Sequence, residues 1–250
     1  MKMLTHLPTY VTLTFLATTI VTFVTVVFIL YQAADRLAEP TIRHKINLGL
    51  VLLVLWMAIQ GLLAYSGFYL DFDSLPPKFA VFGVGPTLLL MIGGALLLPR
   101  ADRLVASMSL AAITYLHTVR LPVEIVLWWL YSYGAIPLVM TFEGRNFDIL
   151  VGITAPVIGY FCFTTKQWPR SVALVWNILA LALLLNIVGH AILSAPTPFQ
   201  QFGLEQPNVA VLYFPFIWLG ILIVPAVFLG HVIAIRRLRL KNQVVPYRTV

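Results

Sequence analysis

Apolar residues run in seven long, nearly unbroken stretches, and most charged residues fall in the short segments between them. The stretches are Tyr10 to Tyr31, Ile46 to Tyr69, Phe79 to Leu98, Val105 to Tyr131, Phe147 to Phe163, Val172 to Leu193 and Val209 to Ile235. A helix needs ~20 mostly apolar residues to cross a hydrocarbon core ~30 Å thick, at a rise of ~1.5 Å per residue. The strands of a membrane barrel would alternate in polarity over ~10 residues, whereas these runs are apolar on every face. The pattern predicts an all-α integral membrane protein with seven transmembrane helices. Residues 1–235 form one seven-helix bundle in this reading, and 236–250 form a basic cytoplasmic tail. The first stretch is too long for a signal-peptide core and no small-residue cleavage pattern follows it, so it is expected to be retained.

The segments between the stretches alternate in charge. Lys2, Lys78 and Arg145 fall on one side. Arg36, Arg43, Lys45, Arg100, Arg103, Lys166, Arg170, Arg236, Arg237, Arg239, Lys241 and Arg248 fall on the other. Cytoplasmic loops collect Lys and Arg, so the N-terminus is expected outside and the C-terminus in the cytoplasm. The expected outer loops carry Asp71, Asp73, Glu143, Asp148 and Glu205, and they include the two longest connections, Ser132 to Asn146 and Ser194 to Asn208.

Composition narrows the class. Hydrophobic residues make up 60% of the chain and charged residues 10%, against about 25% charged in soluble domains. The net charge of +7 does not indicate nucleic acid. The cations are spread over short loops and are densest beside the last membrane exit, where anionic headgroups hold them. The lipid bilayer is the expected partner. The single Cys162 excludes an internal disulfide framework and a Cys-based metal cluster. No Asn-x-Ser/Thr acceptor site occurs. Both features fit a bacterial inner (plasma) membrane, the expected location.

Several polar or helix-breaking residues lie inside the stretches. Thr14, Thr18, Thr22 and Thr25 share one face of the first helix, and Gly83, Gly85, Gly93 and Gly94 recur in the third. Small residues let membrane helices approach closely, so both sets read as packing. Pro86, Pro122, Pro156, Pro215 and Pro225 each remove a backbone bond and kink a helix. Pro122 stands out because His117, Arg120 and Glu124 surround it. At ~100° per residue, Arg120 projects about 60° from His117, and Glu124 about 20° from it. An ionised group at a helix centre costs ~2.5–3.5 kcal/mol on insertion scales, so such residues are kept where they are paired, wetted or used. The plain reading is an ion pair between Arg120 and Glu124, four residues apart.

The functional reading is a polar pocket opening outward. Asn186 and His190 in the sixth stretch fall at similar depth, as do Gln60 and Tyr65 in the second. Glu143, Arg145, Asn146 and Asp148 lead into the fifth stretch. Asn146 and Asp148 suit a helix start, and Arg145 beside two carboxylates suits a lid. Asn208 is expected to cap the seventh helix, and His231 to lie near the cytoplasmic interface. The candidate ligand-binding set is therefore His117, Arg120, Glu124, Asn186, His190, Glu143, Arg145, Asn146 and Asp148. Arg120 would hold a carboxylate or phosphate, while Glu124 and His117 would orient it or move protons.

Other chemistries find less support. His117, Glu124, His190 and Asp148 are zinc-ligand types, but no His-x-x-x-His or His-Glu-x-x-His spacing joins them, and no metal site is expected. His117 with His190 is the pair whose depths suit a b-type haem. The last stretch has no Lys for a retinal Schiff base, and the Pro-Gln pairs of seven-helix sugar carriers are missing. No cofactor is identified. Three readings remain: a sensor or carrier of a small anionic or amphiphilic ligand, an intramembrane enzyme acting on a lipid-like substrate, and a haem b protein or assembly subunit.

Overall fold

The computed structural model describes residues 4, 7–72, 74–89 and 101–239. Lys2, Asp73, Gly93, Gly94, Arg100, Lys241, Arg248 and the end of the third stretch, 90–98, lie outside the described residues. The described chain is helical, with no strand: α1 (Thr9–Leu37), α2 (Pro40–Ser66), α3 (Ala80–Leu89), α4 (Ala101–Ser107), α5 (Leu110–Ser132), α6 (Asp148–Thr164), α7 (Arg170–Leu193) and α8 (Leu219–Arg239). Among these, α1, α2, α5, α7 and α8 are long and apolar enough to cross a membrane. In a bilayer the backbone must bond to itself, and a helix does this within one segment.

Polarity is inverted relative to a soluble protein. Leu48, Val51, Leu55, Ile59 and Leu62 stand exposed on α2, and Ile20, Val24 and Phe28 on α1, whereas Gln60, His117, Arg120, Glu124, Asn177 and His231 are buried. An apolar exterior with the polar side chains turned inward is what a hydrocarbon surrounding selects. This is a membrane protein. The main core joins Val11 and Phe15 of α1 to Val123, Leu127 and Leu130 of α5, Ile187 of α7 and Val227 of α8. The threonine face of α1 serves packing: Thr18, Thr22 and Thr25 each donate to the carbonyl four residues back, at 2.7–2.8 Å.

The prolines act where their missing N–H falls. Pro86 leaves the Phe82 carbonyl without its helical partner, and a turn of wider pitch forms at Ala80–Val84. Gln60 Nε2 reaches across from α2 and donates to that carbonyl at 2.8 Å. Its Oε1 accepts from the Tyr69 hydroxyl. Pro122 does the same to Thr118, and the chain tightens into a 3₁₀ turn at His117–Val119.

Three elements differ from the sequence expectation. The fourth stretch does not begin its helix at Val105: α4 stops at Ser107, and Ser109 caps α5 by accepting the Ala112 N–H at 3.3 Å. Apart from a 3₁₀ turn at Ala210–Leu212, the seventh stretch is helical only from Leu219 and runs on through Arg239, so three cations expected in the tail sit on the helix. Residues 210–218 form an apolar, mostly irregular approach containing Pro215. Asn208 therefore caps nothing; its Nδ2 donates to the Ala191 carbonyl at 3.1 Å and its N–H to Ser194 O at 2.8 Å, which ties down the preceding loop.

The connections gather in two groups. Arg36 donates to the Ser107 carbonyl at 2.8 Å, Arg103 pairs with Glu39 at 2.8 Å, and Arg236 pairs with Asp102. These contacts join the end of α1 and the start of α2 to α4 and the end of α8. In the other group the Tyr10 and Tyr133 hydroxyls meet at 3.0 Å, and Gln206 donates to the Tyr131 carbonyl at 2.9 Å.

Candidate functional site

The 3₁₀ turn ahead of Pro122 buries His117 and starts the next helical segment at Arg120. Arg120 and Glu124 do not pair with each other. Arg120 reaches across to α6, where its Nη1 lies 3.4 Å from Asp148 Oδ1 and 3.3 Å from the Ala180 carbonyl of α7. The cause is a close helix crossing. A Cβ on Gly152 would stand 2.6 Å from the Leu121 nitrogen, so only glycine lets α6 lie against α5 there. Asp148, one turn earlier on α6, is thereby held beside Arg120.

Glu124 is met by Asn146 instead. Asn146 Nδ2 donates to Glu124 Oε1 at 2.7 Å and to the Met140 carbonyl at 3.1 Å, while its Oδ1 accepts the Asp148 N–H at 3.2 Å. One amide thus caps α6 and anchors a buried carboxylate. The tight fold of its segment depends on Gly144, where a Cβ would fall 2.2 Å from the Leu138 carbonyl oxygen.

On the opposite flank His117 stacks on His231 of α8, with ring centroids 3.8 Å apart and planes 14° from parallel. Trp176 stands beside both rings. His231 is fully buried, not interfacial. Its expected depth assumed a helix from Val209, and the later start and longer run of α8 carry it toward mid-helix. Asn177 Nδ2 donates to the Ala173 carbonyl at 2.8 Å, so its Oδ1 faces His231 Nδ1 at 2.9 Å and His231 must donate there. That tautomer leaves His231 Nε2 as a bare acceptor.

The nine candidate residues divide into two layers. His117, Arg120, Glu124, Asn146 and Asp148 form the buried cluster. Asn186, His190, Arg145 and Glu143 do not join it. Asn186 Nδ2 donates to the Arg145 carbonyl at 2.8 Å, and His190 Nδ1 lies 2.9 Å from the Asn186 carbonyl of its own helix. The Phe202 ring stacks on His190, with Arg145 over it at 5.5 Å, and Glu143 is exposed. The histidine that accompanies His117 is His231, not His190. Their face-to-face stacking is not the arrangement of two ligands on opposite faces of a haem. Among the described residues no three His, Cys, Asp or Glu side chains are placed to hold a metal ion. Sequence reasoning missed His231, Asn177 and Trp176. Asn177 did carry a signal, being a lone amide inside an apolar run.

Six of the nine buried polar side-chain atoms without a partner among the described residues belong to this cluster: His117 Nδ1 and Nε2, Arg120 Nε and Nη2, Glu124 Oε2 and His231 Nε2. Nε and Nη2 form the side edge of the guanidinium, on which a carboxylate or phosphate makes two parallel bonds. The cluster thus leaves the side edge of one guanidinium, three imidazole nitrogens and one carboxylate oxygen without a partner among the described residues.

No curated protein and no solved structure matches the chain. A family profile matches residues 73–239, well over half the chain and including every residue of the cluster. By that match the protein belongs to the family described as a domain of unknown function, DUF8737.

Proposed function

We propose that this protein binds a small anionic or amphiphilic ligand within the membrane, as a sensor or carrier, and that the acidic group of the ligand seats on Arg120. The observation that carries the reading is the buried, unpartnered Nε/Nη2 edge of Arg120. Asp148 takes only Nη1. A guanidinium edge buried without a partner is costly, and an oxyanion satisfies it with the right geometry. Glu124 Oε2 and the two imidazoles would take or give the proton of a weak acid arriving there.

The membrane frame is part of the proposal. Seven spans are the five long helices together with α3 and α6; the 17 residues of α6 cover ~25 Å. The N-terminus lies outside, the C-terminus is cytoplasmic, the pocket opens outward beneath the Arg145–His190 layer, and the host membrane is a bacterial inner membrane. The two groups of connections support this, because the cation-rich segments meet each other and not the acidic ones. Cysteine labelling of intact cells, with Cys162 replaced, tests it. Positions 71 and 205 should label from outside and position 166 should not; the reverse pattern inverts the assignment.

For the ligand, purified protein would be melted with acetate, benzoate and inorganic phosphate, and native mass spectra inspected for a retained anion. A ligand at a hundredfold excess over its Kd adds ~2.7 kcal/mol of stability. Wild type should respond to at least one anion, Arg120→Gln to none, and Arg120→Lys weakly, because an ammonium offers no bidentate edge. A shift of equal size in wild type and Arg120→Gln removes Arg120 from the role. No shift and no retained anion removes the function.

A further inference from the structure

We propose a second anion site, at the end of the bundle where α1 and α8 finish and α5 and α7 begin, that takes a phosphate group. A cavity of about 420 Å³ opens there, lined by Arg36, Lys166, Arg170 and Arg237 together with Ser109 and Trp168, and among the described residues no acidic one lines it.

The cations of this end differ in their partners. Arg43, Arg103 and Arg236 each meet a carboxylate, of Asp35, Glu39 and Asp102. The four in the cavity make no ion pair among the described residues. Arg36 is held by the Ser107 carbonyl at 2.8 Å and Arg237 by the Met108 carbonyl, dipoles that fix a guanidinium in place without neutralising it. Arg237 also lies within electrostatic reach of Arg36 and Arg170. Four like charges drawn around one cavity repel unless an anion joins them. The starts of α5 and α7 border the cavity and carry no acidic residue in their first turns, so their N-terminal dipoles add to the same field. Arginines suit the oxygens of a phosphate in forked geometry. A cation pocket between helix ends recognises either a phospholipid headgroup or free phosphate, and the chemistry of the site is common to both. This site shares no lining residue with the Arg120 cluster and stands whether or not that cluster binds a ligand.

The test uses the full chain in phosphatidylcholine nanodiscs, with either phosphatidylglycerol mixed in or inorganic phosphate added. Wild type is compared with Lys166→Gln/Arg170→Gln, both exposed side chains, and with Arg43→Gln/Lys45→Gln, an equal charge change outside the cavity. Native mass spectra count retained phosphatidylglycerol, and melting reports phosphate binding. The cavity variant should bind roughly tenfold more weakly or worse, while the control keeps wild-type binding. Loss confined to phosphatidylglycerol identifies a headgroup site, and loss confined to inorganic phosphate identifies a soluble-anion site. If the double variant does not fold, Arg170→Gln alone is read the same way. Equal binding by wild type, cavity variant and control, or binding of neither probe by wild type, overturns the proposal.

Discussion

Replacing Gly152 by alanine adds one methyl group where two helices touch. That Cβ would lie 2.6 Å from the Leu121 nitrogen, 3.0 Å from its Cα and 3.1 Å from its Cβ. Carbon contacts are comfortable from ~3.5 Å, so the gap must open by about 0.9 Å. The first two of these atoms are backbone, and no rotamer change relieves them. α6 has to retreat from α5, and Asp148, one turn away, retreats with it. The Arg120–Asp148 contact, already 3.4 Å, is then lengthened beyond hydrogen-bond range. Overpacking costs ~1–3 kcal/mol, and full rupture of a buried ion pair ~3–5 kcal/mol. Gly152→Ala should therefore lose about 2–4 kcal/mol, a fall of several degrees in Tm in mild detergent. Gly189→Ala is the control, since a Cβ there meets nothing within 4 Å. The close-crossing argument is refuted if Gly152→Ala and Gly189→Ala melt together with wild type.

Arg120→Leu should cost ~3–5 kcal/mol by stranding Asp148, and adding Asp148→Leu should recover much of that loss; equal melting of the single and double variants removes the pairing. Asn146→Ala should cost ~2 kcal/mol, because it strips Glu124 Oε1 and the Met140 carbonyl of a donor and α6 of its cap; denaturant unfolding reads this, and a wild-type midpoint would show that the amide carries no load. Gln60→Leu should cost ~1–3 kcal/mol by leaving the Phe82 carbonyl and Tyr69 hydroxyl without their partner, and an unchanged Tm would mean the Pro86 kink needs no repair from α2.

The helices were legible because a bilayer demands long apolar runs. Their ends were not, because apolarity reports burial and not conformation. Ala210, Leu212, Phe216 and Ile217 are buried in an approach that is mostly not helical, and hydropathy cannot tell that approach from the helix it feeds. One helix ends at Ser107 and Ser109 caps the next, inside a run that hydropathy reads as continuous. The candidate cluster was legible in part for a similar reason. His117, Arg120 and Glu124 were conspicuous as ionisable groups in an apolar run. Their partners were hidden, since a pair such as Arg120–Asp148 depends on how closely two helices approach, and that is set by the absence of a side chain at Gly152. His190 matched His117 in depth on the sequence and His231 did not, because the sequence does not show that α8 starts as late as Leu219.

Polar groups inside this bundle have two fates. The threonines of α1 return their hydroxyls to their own helix. Gln60 repairs the backbone at a proline, and Asn146 closes a helix start. Each of these side chains spends its hydrogen-bonding capacity on the fold, as a low-dielectric interior requires. At His117, Arg120, Glu124 and His231 the capacity is left over instead: six atoms on four residues have no partner among the described residues. Scattered unsatisfied atoms, such as Ser194 Oγ and Asn208 Oδ1, are a tolerable cost to a fold. A concentration of donors and acceptors on facing helices is not, because each unmet group costs ~1–3 kcal/mol and hydrophobic side chains of similar volume would avoid the cost. The proposed anion would take up this capacity, its oxygens meeting Arg120 Nε and Nη2, which the packing of the helices leaves unused.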